Sequence, residues 1–241
     1  MRYGIFSDIH GNLEAFEAVL AACRQEAIDK FFCLGDIVGY GADPQQCIAE
    51  VRSLNAITVA GNHDRAVVDL FDKEYFNPYA LEAIVWTKGV LNDFEKDFLR
   101  NLPLQHSEET FMLAHAGPED PGRFLYLFEA EDVSKSFAEM KRPICFVGHT
   151  HIPRTFILQG GRVSLCEKEK FQADPRALYI CNIGSVGQPR DNNPEAAYCI
   201  FDSKKMLVEI KRIGYNINRA QAKIREAGLS EFLAARLSQG R

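Results

Sequence analysis

The chain has 241 residues, is 46% apolar and carries a formal charge of −5 with a pI near 5.7. That supports one large globular domain over 1–241, and the acidic balance disfavours nucleic acid as a partner, because such affinity rests largely on Lys and Arg neutralising phosphates. Seven cysteines without a Cys-x-x-Cys pair indicate neither a disulfide framework nor a thiolate zinc site. No leader-like segment and no apolar run near the roughly 18 residues of a membrane span is visible, so a cytoplasmic location and no membrane partner are expected.

Arg2 to Ser7 reads as a strand. Leu13 to Ala22 reads as a helix with Leu13, Phe16, Val19 and Leu20 on one face and Asn12 as its N-cap candidate. Phe31 to Leu34 is a second strand, Pro44 to Leu54 a second helix with Pro in its first turn, and Ala56 to Ala60 a third strand. Right-handed crossovers make such strands parallel neighbours, so Asp8, Asp36 and Asn62 fall at carboxyl ends along one edge. Asn77 to Thr87 and Asn92 to Asn101 read as helices separated near Gly89, within a helical excursion of about 72–102 over the site. Its Tyr75, Phe76, Tyr79 and Trp86 read as the core of a small cap, with stacking on a nucleobase as the alternative. Leu104 to His106 and Phe111 to His115 read as paired strands, Asp132 to Met140 as a helix, and Pro143 to Val147 as a buried strand feeding Gly148. Arg154 to Cys166 forms a hairpin about Gly160-Gly161, whose Phe156, Ile157 and Leu158 can pair across a homo-oligomer interface. Leu178 to Asn182, Ala196 to Asp202 and Met206 to Ile213 complete the strands. Helix over Gln221 to Gln239 closes the chain, in a C-terminal helical segment of about 216–239. Its basic residues, Arg219, Lys223 and Arg225 among them, read as a solvated face.

Five of the six histidines fall near glycine just after these apolar runs. Asp8 and His10, one residue apart on extended chain, leave the same face and can reach one cation. Asp36 can bridge two ions through its two oxygens. Asn62 offers a neutral oxygen, while His115, His149 and His151 offer nitrogens. Carboxylate with imidazole suits a borderline divalent metal, and seven ligands for two ions leave positions open for water and substrate. Each motif alone also reads as ordinary turn or cap chemistry; their convergence is what points to a site. His106 lies outside them, at a polar hairpin edge.

The ordered set Asp8-x-His10, Gly35-Asp36, Gly61-Asn62-His63-Asp64, His115 and Gly148-His149-x-His151 resembles the calcineurin-like metallophosphoesterase superfamily. Gly35 to Gly41 and Asn182 to Arg190 resemble its small bacterial and archaeal phosphodiesterase branch. The resemblance implies an α/β fold, a four-layer αββα sandwich of two mixed β-sheets flanked by helices, with a dinuclear metal site at the sheet edge. It implies two divalent ions, manganese first, with iron, zinc, nickel or cobalt as alternatives. Asp8, His10, Asp36 and His151 would hold one ion, and Asp36, Asn62, His115 and His149 the other. His63 would sit near the leaving-group oxygen as general acid, donating to it if protonated. Gly39 and Tyr40 stand where the superfamily's protein phosphatases carry Asp and Arg, which lowers that activity in rank. Asp64 is then the candidate to orient His63, Arg190 a candidate phosphate contact, and Asn12 a candidate substrate contact beside its capping role.

The function expected is a metal-dependent phosphodiesterase for a small phosphoester or nucleotide-like substrate, acting through a water activated between cations about 3.5–4 Å apart. A dinucleoside polyphosphate hydrolase is the enzymatic alternative. A protein-interaction scaffold, as in the retromer subunit of this superfamily, is the alternative of another class, and the full set of ligands argues against it.

Overall fold

The computed structural model describes residues 1–241. In chain order it contains β1 (Arg2–Phe6), α1 (Leu13–Cys23), β2 (Lys30–Cys33), α2 (Pro44–Ser53), β3 (Ile57–Thr58), α3 (Asn62–Val67), α4 (Pro78–Val90) and α5 (Asp93–Arg100). There follow β4 (Gln105–Ser107), β5 (Phe111–Ala114), α6 (Ser134–Glu139), β6 (Ile144–Val147), β7 (Arg154–Gln159), β8 (Arg162–Cys166) and β9 (Lys170–Gln172). The chain ends with β10 (Leu178–Asn182), β11 (Ala196–Asp202), β12 (Leu207–Ile213), α7 (Ile217–Glu226) and α8 (Glu231–Ala235).

The strands form two mixed six-stranded sheets, in the orders β3-β2-β1-β11-β12-β9 and β4-β5-β6-β10-β7-β8. The two-residue period of a strand sorts each side chain to one face or the other. Tyr3 and Ile5 of β1 face the second sheet and join Phe32, Phe111, Phe146 and Phe201 in the core between the sheets. Phe111 lies at its centre, with ring centroids 5.1 to 5.7 Å from Phe32, Tyr3, Phe201 and Phe146. Phe6 points the other way, onto Phe16 of α1 at 4.9 Å, where Val19, Ile48 and Val51 of α1 and α2 cover the outer face of the first sheet. Leu127, Val133 and Phe137, on α6 and the chain leading to it, cover the outer face of the second sheet over Met112, Cys145, Phe156 and Ile180. The four layers expected are therefore present.

Phe156 is fully buried in that outer core, which leaves Ile157 and Leu158 as the half-exposed members of that trio. The terminal helix is broken into α7 and α8 by Gly228, in the left-handed region at φ 74, followed by Ser230, whose side chain caps α8. Gly89 lies inside α4, which stops instead at Leu91 where Asn92 and Glu95 build a capping box for α5. The sequence reading missed β9 and α3; the Gly-Asn-His-Asp motif is the first turn of α3.

Asp64 shows how the loops at the sheet edge are tied together. Its two carboxylate oxygens accept from the backbone N–H groups of Gly61 at 3.1 Å, Asp36 at 2.8 Å, Ile37 at 2.9 Å and Val38 at 3.3 Å. One buried carboxylate thus joins the turn before α3 to the loop after β2. The expectation that Asp64 orients His63 is corrected: both oxygens are occupied by amides, and consecutive helical residues leave the axis about 100° apart. Asp64→Asn turns an amide NH2 toward donors that need an acceptor, and it is expected to cost about 3 kcal/mol. Urea unfolding of the metal-free protein checks this, and wild-type stability in the variant would contradict the bracing role.

Candidate metal centre

The side chains singled out by sequence reach one place because the backbone turns back sharply after each strand. Asp8, His10, Asp36, His149 and His151 all lie in the left-handed region, with φ between 51 and 69. Such conformations cost non-glycine residues roughly 1–3 kcal/mol each and persist only where the surroundings over-determine them. Here the loops clamp one another. Asp8 N donates to Gly35 O at 3.0 Å, His10 N to Asp36 O at 2.9 Å, and Gly187 N to Asp8 O at 2.9 Å. Gly148 is fixed by closeness: a Cβ there would lie 2.0 Å from Ser7 Oγ and 2.3 Å from Asp8 Oδ2.

The donors form three overlapping groups, Asp8–His10–His151, His10–Asp36–His63 and Asp36–His115–His149. His151 Nε2 is 3.2 Å from Asp8 Oδ1, and His115 Nε2 is 3.3 Å from Asp36 Oδ2. Three rings have their other nitrogen held by a backbone carbonyl: His10 Nδ1 by Val38 at 3.1 Å, His115 Nδ1 by Leu34 at 2.8 Å and His151 Nδ1 by Gln188 at 2.6 Å. An Nδ1–H donating outward leaves an Nε2 lone pair facing the cluster, the usual outer support of a metal-binding histidine. His10 Nε2 and His151 Nε2 consequently face each other at 3.1 Å. Two nitrogens each about 2.1 Å from one cation and at right angles lie about 3 Å apart.

Asp8 Oδ1, Asn62 Oδ1, His115 Nε2 and His149 Nε2 are buried without a hydrogen-bond partner. Buried polar atoms are ordinarily satisfied, and four orphans converging with two carboxylates fit divalent cations. All seven expected ligands are buried here. His106 instead sits at the edge strand β4, 3.1 Å from Glu108 Oε1.

Electrostatics agree with that donor set. Despite burial, the surrounding histidines hold both Asp8 and Asp36 below the usual carboxylate range. Burial lowers His115, yet the Asp36 and Asp8 charges push it up to about 9. Burial and the His115 charge bring His149 down to about 3, while burial and Arg190 do the same to His151. Without cations, then, the site keeps a proton on His115.

Beside the cluster opens a cavity of about 360 Å³. Asn62, His63, His149 and Arg190 line it together with Asn77 and Arg123, and Phe71, Phe76, Phe124 and Tyr126 supply aromatic wall. Arg190 Nη2 bonds Gln188 Oε1 at 2.8 Å and lies 3.3 Å from the Tyr40 hydroxyl. Tyr126 stacks on His149 with centroids 4.0 Å apart. Asn12 is corrected. Its Oδ1 caps α1 through Ala15 N and its Nδ2 donates to Gly187 O at 2.8 Å, and it does not line this cavity. Burial holds the His63 imidazole well below the ordinary histidine value against the pull of Asp36. Sequence reasoning missed Tyr40, Phe124 and Tyr126. The available signal was Phe124-Leu125-Tyr126-Leu127-Phe128, a dense apolar and aromatic run in a stretch with no helix or strand of its own.

Known proteins resemble this chain in sequence and fold. The chain is 42% identical to an uncharacterised protein of Methanocaldococcus jannaschii, with 98% of this chain and 97% of that protein aligned. It superposes on a metallophosphoesterase from Sphaerobacter thermophilus with a TM-score of 0.87 and 37% identity, covering 100% and 99% of the two chains. A symmetrical bis(5′-nucleosyl)-tetraphosphatase of Aromatoleum aromaticum is 29% identical over 117 residues, 46% of this chain and 42% of that protein. The family model for the calcineurin-like phosphoesterase superfamily domain matches residues 1–206, and with its buried Asp and His donors in place the chain belongs to that superfamily of metal-dependent phosphoester hydrolases.

Proposed function

We propose that this protein is a phosphodiesterase that hydrolyses a small or nucleotide-like phosphodiester. The observation that carries the reading is the set of buried, unpartnered donor atoms opening onto a cavity that also holds Arg190. Asp8, His10, Asp36 and His151 would hold one divalent ion, and Asp36, Asn62, His115 and His149 a second. Manganese is the first candidate. Bound divalent ions supply positive charge to the phosphoryl oxygens and lower the pKa of water.

The chain's own residues do the rest. Arg190 contributes a planar donor fork suited to phosphate oxygens. His63 lines the same cavity, and its Nδ1 is buried, so Nε2 is the nitrogen that serves the substrate. From there it would donate to the leaving-group oxygen as the P–O bond breaks, the general-acid role expected of it. The aromatic walls exclude water and offer flat surfaces to the organic part of the ester. Those walls and the partial similarity to a dinucleoside tetraphosphatase favour a second reading, hydrolysis of a dinucleoside polyphosphate. A cavity of about 360 Å³ is at the small end of ligand sites, which suits one nucleotide better than a whole dinucleotide and keeps the diester reading first.

Chelator-stripped protein is expected to hydrolyse bis-p-nitrophenyl phosphate only when Mn²⁺ is restored, with Asp36→Asn abolishing turnover. His63→Ala is expected to keep its metal content by elemental analysis and to lose roughly 10²–10⁴-fold on alkyl diesters; loss of an ion would instead make His63 a ligand. Product analysis with diadenosine tetraphosphate separates the second reading from the first.

Cation binding must also displace the His115 proton. Because that group sits near pH 9 in the metal-free protein, Mn²⁺ binding at pH 7 is expected to release about one proton from it, and less as the pH rises past 9. Calorimetry in buffers of different ionisation enthalpy measures the count, and zero release at pH 7 would overturn the assignment of His115 as a ligand.

A further inference from the structure

His63 and Arg190 share a deficiency. Neither has an ionic partner, although both line the cavity. His63 Nδ1 is buried and unpaired. The adjacent carboxylate of Asp64 is bound to four amides. No side chain can stand on the other side either, because a Cβ at Gly39 would lie 2.4 Å from that nitrogen. Arg190 has no carboxylate within ion-pair distance; its guanidinium lies 5.7 Å from the Tyr40 ring centroid.

One residue touches both. The Tyr40 ring is 4.5 Å from the His63 ring at 53°, and Phe76 meets His63 from a further side at 4.9 Å and 73°. The Tyr40 hydroxyl is 3.3 Å from Arg190 Nη2. Tyr40 is itself well anchored. It is 6% exposed, follows Gly39 into the left-handed region at φ 60, and packs with Ala80, Leu233 and Leu237 of the helical cluster. Gly41 N, the next amide, bonds His10 O at 2.9 Å.

We propose that Tyr40 is a positioning residue for both groups: its ring, with Phe76, fixes the plane of His63, and its hydroxyl and ring face seat the Arg190 guanidinium. Packing thus replaces the hydrogen bond that normally orients such an imidazole. A ring held by Tyr40 and Phe76, with the His10 ring as a third neighbour at 4.8 Å and 80°, has its swing restricted while its Nε2 stays directed at the cavity, and a guanidinium resting on an aromatic face keeps donors free for an anion. In its activity arm the inference rests on the phosphodiesterase reading above.

The two roles separate by substitution. Tyr40→Phe keeps the ring and removes the hydroxyl; Tyr40→Leu removes the aromatic ring as well. With Mn²⁺ restored, Tyr40→Phe is expected to raise KM and the inhibition constant of inorganic phosphate about fivefold, the loss of one long hydrogen bond from the guanidinium to the hydroxyl. Tyr40→Leu is expected to lose on the order of 10²-fold more kcat on an alkyl diester than on the p-nitrophenyl diester, since only the poor leaving group needs the His63 donor. In metal-free protein, long-range ¹H–¹⁵N spectra should show one sharp set of His63 ring signals in wild type and Tyr40→Phe, and broadened or shifted signals in Tyr40→Leu. If Tyr40→Leu does not fold, Phe76→Leu, which strips the other contact, is expected to give the same selective loss and the same spectral change. Equal losses on both diesters with unchanged His63 signals and full metal content would overturn the proposal. Absence of diesterase activity in wild type would instead sink the functional reading, and the His63 spectra would still decide the role of Tyr40.

Discussion

Two carboxylates buried side by side are the condition around which this molecule is built. Asp8 and Asp36 are 0% and 1% exposed, and no Lys or Arg is paired with either. An unpaired buried charge is costly, so the compensation must come from elsewhere. Part comes from backbone amides: His149 N reaches Asp8 Oδ2 at 3.1 Å, and His63 N reaches Asp36 Oδ1 at 2.8 Å. The rest comes from the His115 imidazole, which the two carboxylates hold in its protonated form when no cation is near. The same arrangement that makes the empty cluster uncomfortable therefore gives a divalent ion its welcome.

The sheets matter chiefly as the means of bringing that cluster together. Asp8 follows β1, Asp36 follows β2, His115 follows β5 and His149 follows β6, so four strand ends from two sheets meet at one edge. The aromatic core about Phe111 holds the sheets in register. The residues after β1, β2 and β6 then take left-handed turns that strand geometry alone would never supply. Asp64 adds the last constraint by binding the turns after β2 and β3 into one piece.

Much of this was legible in the sequence because it is written in local patterns. Period-two and period-3.6 apolar spacing located the strands and the longer helices, and the glycines beside His10, Asp36, Asn62 and His149, with Gly117 two residues past His115, marked where strands end. What was not legible depends on partners distant in the chain. Asp64 looked like a neighbour for His63, but its oxygens find the amides of residues 36 to 38, some 27 positions away. Asn12 had two readings, and only Gly187 and Ala15 closing on its two amide atoms chooses between them. The cavity wall at Phe124 and Tyr126 lies in a stretch without periodicity, where sequence carries composition but no direction. The break between α7 and α8 was written at Gly228, and the apolar pattern on both sides hid it.

The pairing of β1 with β11 sets the order in which the molecule can come into being. Arg2 lies opposite Asp202, and Ile5 opposite Cys199, so a central position of the first sheet joins segments about 200 residues apart. Contacts of such long sequence separation form late and slow the overall rate. A chain emerging from the ribosome can make β1, α1, β2 and α2 early, yet β1 stays an open edge until β11 arrives. Asp8 and His10 wait with it, displayed beside an unpaired strand while the histidines that share their cluster are not yet made. The growing chain thus holds fragments of a cation site and never a whole one, so the complete set of donors becomes available only as folding finishes.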